Sequence, residues 1–302
     1  MRWTNAHSLP APLAAAIRND SYKKVGWISA TGLQRPPQMR VLEQRHWDKL
    51  TTDVSDNIFS LFGQVVHGVL ERSSTPNELA EKRFIVTIRG AEISGQADLF
   101  ESLHSSGGLL SDYKTIGTIS YQMGGKDEEW AKQLNTYAYL FSKNGIEVKE
   151  LQIVAILRDW SKMKAQRDSA YPQSGVHVIK VPLWPLAKTE EWLNERVRLH
   201  QEAEKLPDNQ LPECSEDERW QKESTYAVKK TGRKMAISGG IKSSRAEADA
   251  LVAELGPNHF VEDRPGAAIR CENYCKVKDY CHQYQKTVPE GVEIAGVHSG
   301  GY

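Results

Sequence analysis

The chain has 302 residues, enough to bury one large core or two modest ones. Its 39 Lys and Arg balance 39 Asp and Glu, and its mean hydropathy is -0.55, so it carries no global pull towards a polyanion or a bilayer. The first ten residues are mixed polar without the apolar centre of a signal peptide, and no window approaches ~20 apolar residues, so a cytoplasmic protein with no membrane partner is expected.

Residues 1–58 show weak periodicity and read as a region of short helices, one of them over Gln38–Leu50, after a break at Leu33-Gln34-Arg35-Pro36-Pro37. From Phe59 to Glu71 the residues Phe62, Val65, Val66, Val69 and Leu70 recur at helical spacing, and His67 and Glu71 lie one turn apart. The period then changes to two. Phe84, Val86 and Ile88 predict a strand closed by Gly90, and Ile93–Phe100 predicts a second strand, which carries Asp98. His104-Ser-Ser-Gly-Gly108 reads as a turn into a third strand over Leu109–Thr115. Trp130, Leu134, Tyr137 and Phe141 step by four, three and four and place a helix over Asp127–Lys143. Leu151–Leu157, nearly all apolar, is expected to be a strand covered on both faces. Val176–Val181 predicts one more strand, and a long helix from Pro185 to Lys205 has its proline in the first turn. Residues 59–206 therefore form the α/β core, and residues 207–290 have a different character. That segment holds Pro207, Pro212, every cysteine, and one short helix bounded by a Ser244/Glu247 capping box and Gly256. Residues 291–302 read as a disordered tail.

Asp112 and Lys114 are two apart on the third strand, so both leave the same face. Asp98 can sit beside Asp112 across the hairpin. Facing carboxylates repel unless positive charge lies between them; Lys114 supplies part of it, and a divalent ion such as Mg²⁺ or Mn²⁺ can supply the rest. That ion would acidify a water and hold a phosphate oxygen, the chemistry of phosphodiester hydrolysis, while Lys114 offsets transition-state charge. Gln133 and Tyr137 stand one turn apart on the following helix. Taken singly, an Asp-x-Lys is usually a surface salt pair and His67 a core histidine.

Cys214, Cys271, Cys275 and Cys281 are the whole cysteine supply, and the last three fall within residues 271–281. Four thiolates suit a tetrahedral zinc or a four-iron cluster; two disulfides are the alternative, which a reducing interior disfavours. No acidic residue occurs from Ser224 to Ala246, where Lys229, Lys230, Arg233, Lys234, Lys242 and Arg245 supply six positive charges. This stretch is a candidate DNA surface, with a solvated loop as the plain alternative.

The ordered set His67, Gly95-Gln96-Ala97-Asp98, Asp112-Tyr113-Lys114 and Gln133…Tyr137 resembles the RecB-type branch of the PD-(D/E)XK nuclease superfamily. The resemblance covers residues 60–160 and implies a restriction-endonuclease-like fold, a mixed central sheet flanked by helices. It implies a metal-dependent DNA exonuclease acting in recombination, repair or phage DNA processing. His67, Asp98, Asp112 and the Tyr113 carbonyl would hold the metal, Lys114 would be the catalytic lysine, and Gln133 and Tyr137 would position the nucleic acid end. Relatives of this type, including the AddB nuclease domain and the CRISPR-associated adaptation nucleases, carry a [4Fe-4S] cluster on one distant and three clustered cysteines. The same division here implies a cluster on Cys214, Cys271, Cys275 and Cys281, with structural zinc as the rival, packing residues 207–290 on the core. In those relatives the distant cysteine precedes the nuclease motifs, whereas Cys214 follows them. Implied partners are DNA, single-stranded or an end-containing duplex stacked on Trp130 and Tyr137, and a recombination or annealing protein, within a bacterial or phage-infected cell. A CRISPR-adaptation nuclease and a non-cutting DNA-binding module on the same fold are the alternatives.

Overall fold

The computed structural model describes residues 1–19, 25–73, 75, 78–103, 107–124 and 126–287. Residues 104–106 of the expected turn His104–Gly108, and the expected tail at 291–302, lie outside them. Two compact units emerge: Met1–Arg40 with Thr51–Lys205, and Val41–Leu50 with Leu206–Tyr302.

The first unit is a mixed α/β layer structure. The six strands of its main sheet are Ile28–Ser29 (β1), Glu78–Ile88 (β2), Ala91–Ser102 (β3), Gly108–Ile116 (β4), Val148–Leu157 (β5) and Val176–Val181 (β6). They run in the order β1-β3-β4-β5-β6, with β2 also paired to β3. The pairs β1/β3 and β4/β5 are parallel and the others antiparallel. Arg89 and Gly90, at φ 51° and 76°, make the tight turn between β2 and β3 that alternating apolar strands around a glycine predict. β2 begins at Glu78, ahead of the expected start, because the charged run Glu81-Lys82-Arg83 hides the alternation.

The helices Ile58–Arg72 (α1), Thr118–Met123 (α2), Asp127–Lys143 (α3) and Leu186–Lys205 (α4) flank this sheet. Trp130, Leu134, Tyr137 and Phe141 of α3 are buried against Ala97, Leu110 and Ile153 of the sheet. Their four-three-four spacing puts all four on the inward face. Trp130 and Tyr137, each only 5% exposed, are therefore core residues and offer no face on which a base could stack. No described helix is long and apolar enough to cross a membrane.

The second unit holds three antiparallel strands, Thr225–Lys230 (β7), Ala236–Lys242 (β8) and His259–Arg264 (β9), in the order β8-β7-β9. The helix Arg245–Leu255 (α5) starts where the Ser244 hydroxyl accepts from the Glu247 N–H at 3.3 Å and stops at Gly256. Only this helix was legible in the sequence; the short strands are too rich in Lys, Gly and Asp to show a clean alternation. Val41–Leu50 joins this unit through His46, whose ring stacks on Tyr280 at 4.1 Å and whose Nε2 lies 2.6 Å from Asp208 Oδ2.

Candidate metal centre and cysteine cluster

The centre lies where the sheet divides. On one edge, β3 pairs with β1 at Ile93 and Ser94 and with β4 from Leu99 to Ser102. Residues 95–98 fall between these partners, and among the described residues no strand covers that edge of Gly95-Gln96-Ala97-Asp98. Beyond Ser111, β4 leaves β3 and continues beside β5 alone, carrying Asp112 and Lys114 into the fork. There the Tyr113 N–H donates to Asp98 Oδ2 at 2.7 Å rather than to a strand, which fixes the carboxylate plane. Asp98 Oδ1 then lies 3.3 Å from His67 Nδ1, and Glu81 Oε1 of β2 lies 3.3 Å from the same nitrogen. Ligand atoms of His67, Glu81 and Asp98 are all within 4.8 Å of one another.

Glu81 has no counterpart in the sequence reading. Its φ of 50° is left-handed, and the ladder pairs Ala80 with Leu99 and Lys82 with Ala97 while skipping Glu81 opposite Asp98. A glutamate in that conformation costs on the order of 1–3 kcal/mol and persists where its surroundings hold it. Here Gln96 Nε2 donates to Glu81 Oε2, and Arg83 Nη2 donates to Gln96 Oε1. The motif glutamine thus steers an acid from the neighbouring strand, which linear spacing could not reveal.

Asp112 is 1% exposed, with Oδ2 2.6 Å from Lys114 Nζ and Oδ1 accepting from Gln133 Nε2 at 3.3 Å. The Lys114 contact is an ion pair without hydrogen-bond alignment, so Oδ2 has no aligned donor. Gln133 Nε2 also donates to the Tyr137 hydroxyl at 2.7 Å. The close approach of α3 depends on Gly95, where an added Cβ would stand 2.4 Å from Leu140 Cδ1 and 2.8 Å from Tyr137 Cδ1. Of the sequence-derived set, His67, Asp98, Asp112, Lys114, Gln133 and Tyr137 share this one fork. Tyr113 takes part through its N–H, and its ring stands at 88° to that of His67 with centroids 6.4 Å apart.

The electrostatics follow from this packing. Hydrogen bonds to Asp98 and then Glu81 hold the His67 imidazolium up to about 10. Burial pushes Glu81 upward, but His67 and Gln96 outweigh it and keep the carboxyl below its usual range. Burial pushes Asp112 up to about 6, opposed by Lys114 and reinforced by the Asp98 charge. One imidazole nitrogen and several carboxylate oxygens are a donor set suited to a divalent cation. Taking His67 as a ligand would require release of its proton.

All four cysteines are free thiols. Burial pushes each upward, Cys275 up to about 11. Charge on Cys281, Cys275 or Cys271 would raise Cys214 further, so the four sulfurs are within electrostatic reach of one another. Cys214 is brought there by Gln283. The Cys214 N–H donates to Gln283 Oε1 at 2.8 Å, and Gln283 Nε2 donates to the Cys214 carbonyl at 2.9 Å, both buried. Four thiols with no disulfide among them suit a thiolate-bound group in their chemistry, although no three of the sulfurs lie within 4.8 Å of one another as the ligand atoms of His67, Glu81 and Asp98 do.

The basic stretch is only partly available. Lys229 pairs with Glu262, and Arg245 pairs with Asp249 at 3.0 Å and Asp263 at 2.9 Å. Lys230, Arg233 and Lys234 stand at the turn between β7 and β8, and Lys242 ends β8.

No known family model matches the chain, and no curated protein matches it. Among solved structures, the protein described as "Crystal structure of SSO0001" is similar at 19% identity and a TM-score of 0.40, over 62% of this chain and 84% of that one. Likeness at that level says nothing of activity.

Proposed function

We propose that this chain is a divalent-metal-dependent deoxyribonuclease of the PD-(D/E)XK type, hydrolysing phosphodiester bonds from DNA ends. The observation that carries the reading is the fork between β3 and β4, where ligand atoms of His67, Glu81 and Asp98 lie within 4.8 Å of one another and the Asp112–Lys114 ion pair stands on the adjoining strand. His67, Glu81, Asp98 and Asp112 offer the nitrogen and oxygen donors for Mg²⁺ or Mn²⁺. When bound, such an ion supplies Lewis-acid stabilisation of phosphate charge and acidifies the attacking water. Lys114, anchored by Asp112, is a fixed cation for the negative charge that grows on the phosphoryl oxygens. Gln133 and Tyr137, buried behind Asp112, restrain its carboxylate and act by positioning. The Tyr113 N–H holds one Asp98 oxygen so that the other stays turned towards His67.

In the second unit, Cys214, Cys271, Cys275 and Cys281 hold a [4Fe-4S] cluster, with zinc as the rival occupant. Four protein ligands leave no open position, so its service is structural. Anaerobic purification with a visible spectrum and iron and zinc analysis decides between the two.

The test of the nuclease reading is Asp112→Asn and, separately, Lys114→Ala, assayed on end-labelled linear DNA with Mn²⁺ and with Mg²⁺. Each should lower turnover on the order of 100- to 1000-fold with the fold retained. Undiminished cleavage by Asp112→Asn, or no dependence on a divalent ion in the wild type, removes the proposal.

A further inference from the structure

We propose that the turn joining β7 to β8 is a contact surface for a nucleic-acid backbone; this rests on the DNA substrate proposed above. The turn is Lys230-Thr231-Gly232-Arg233-Lys234-Met235, and every one of these residues is exposed, Met235 by 79%. Its three cations differ from their neighbours. Lys229 and Arg245 are neutralised by acids of β9 and α5, whereas no acidic group among the described residues pairs with Lys230, Arg233 or Lys234. The strands on either side contribute no acid either, since none occurs from Thr225 to Ser244.

The presentation is fixed rather than loose. The Arg233 N–H donates to the Lys230 carbonyl at 2.9 Å. The Thr231 N–H and hydroxyl both donate to the Asn258 carbonyl, at 2.8 Å and 3.1 Å. Gly232 supplies the left-handed φ of 80° that closes the turn. A rigid turn loses little backbone freedom on binding, so three clustered cations retain most of their attraction for a polyanion. Lys and Arg that neutralise phosphates release counterions, which makes affinity fall with salt by about 0.7 in log–log slope per contact to a single strand. Apolar side chains such as Met also serve as wedges against base steps, and Met235 stands beside the three cations.

The experiment uses the full chain in EDTA and a fluorescein-labelled oligodeoxythymidylate, with binding followed by anisotropy over a salt series. The triple variant Lys230→Ala, Arg233→Ala, Lys234→Ala should lose about 2 from the salt slope and bind about 100-fold more weakly at 0.1 M salt. Its hydrolysis of a small thymidine phosphodiester, p-nitrophenyl thymidine 5′-monophosphate, should match the wild type. The charge-conserving variant Lys230→Arg, Lys234→Arg should keep the wild-type slope. If circular dichroism shows the triple variant unfolded, Arg233→Ala alone stands in, with an expected slope change of about 0.7. Equal affinity and equal slope in wild type and variant overturn the turn as a contact surface and leave the nuclease reading standing. A wild-type chain that binds no DNA even at about 50 mM salt removes both.

Discussion

In the first unit the metal-type donors come from four elements, with His67 on α1, Glu81 on β2, Asp98 on β3 and Asp112 on β4. In the second, Cys271, Cys275 and Cys281 lie within one short segment and only Cys214 is carried in from afar. The oxygen and nitrogen donors are compensated from within the protein: His67 bridges two acids and Lys114 pairs with the third. The three acids rest on long strands of the sheet, with α3 packed behind Asp112, while His67 rides on α1, which buries none of its residues. The thiols are compensated more weakly, by the charges of Arg219 and Arg270 near Cys271 and by backbone hydrogen bonds at Cys275 and Cys281, and burial outweighs these. Cys271 lies on the short helix Ile269–Asn273, Cys281 stands just before His282–Gln285, and Cys214 and Cys275 lie outside helix and strand. The comparison teaches that a site supported by a sheet can precede its ion, whereas a site on short segments depends on what it binds.

The sharpest way to break this contrast is Cys275→Ala. It should abolish metal retention and open the second unit to limited proteolysis, while the first unit keeps its protease-resistant fragment. An unchanged digestion pattern would mean that the second unit stands without the thiolate site. Gly95→Ala tests the converse, that the first centre depends on packing. Its new Cβ meets Leu140 and Tyr137, and equilibrium denaturation should record a loss of about 3 kcal/mol. Gln283→Ala leaves all four thiols in place but removes both bonds to Cys214. Metal release to a chelator should quicken roughly 10- to 100-fold, with the first unit unaffected.

The smallest effect concerns pH. Burial holds His200 down to about 4, and its Nε2 lies 3.2 Å from the Leu33 carbonyl. The native state keeps this ring neutral while the unfolded chain protonates it below its ordinary value. Its contribution to stability is therefore intact above about pH 6.5 and is lost as pH falls towards 4. Between pH 7.5 and pH 5 the loss should be about 2 kcal/mol. In denaturant titrations, His200→Gln should lose less over that range than the wild type; an identical loss in both would show that His200 does not titrate on unfolding.

Periodicity was enough to locate α3, β3, β4 and β5 to within a few residues, because each buries one face or both and its apolar spacing records that; α1 and β6 were located as well, although α1 buries none of its residues and β6 only Val181. The local motifs Gly95-Gln-Ala-Asp98 and Asp112-Tyr-Lys114 were legible for the same reason, since neighbours on one strand share a face by geometry alone. Glu81 was not, because its approach to His67 depends on a left-handed backbone and on Gln96 across the ladder. Gln283 was equally silent, since its amide acts on a backbone 69 residues away. Trp130 and Tyr137 went from proposed base-stacking faces to core because α3 turns its whole apolar stripe to the sheet, the same stripe whose four-three-four spacing marked the helix. The net charge and the run of basic residues came from the sequence, but which cations remain unpaired was settled by Glu262, Asp249 and Asp263. Short-range order is written in the chain because bonded geometry fixes it. Convergence of distant groups waits for folding, where burial and hydrogen bonding choose among many possible neighbours.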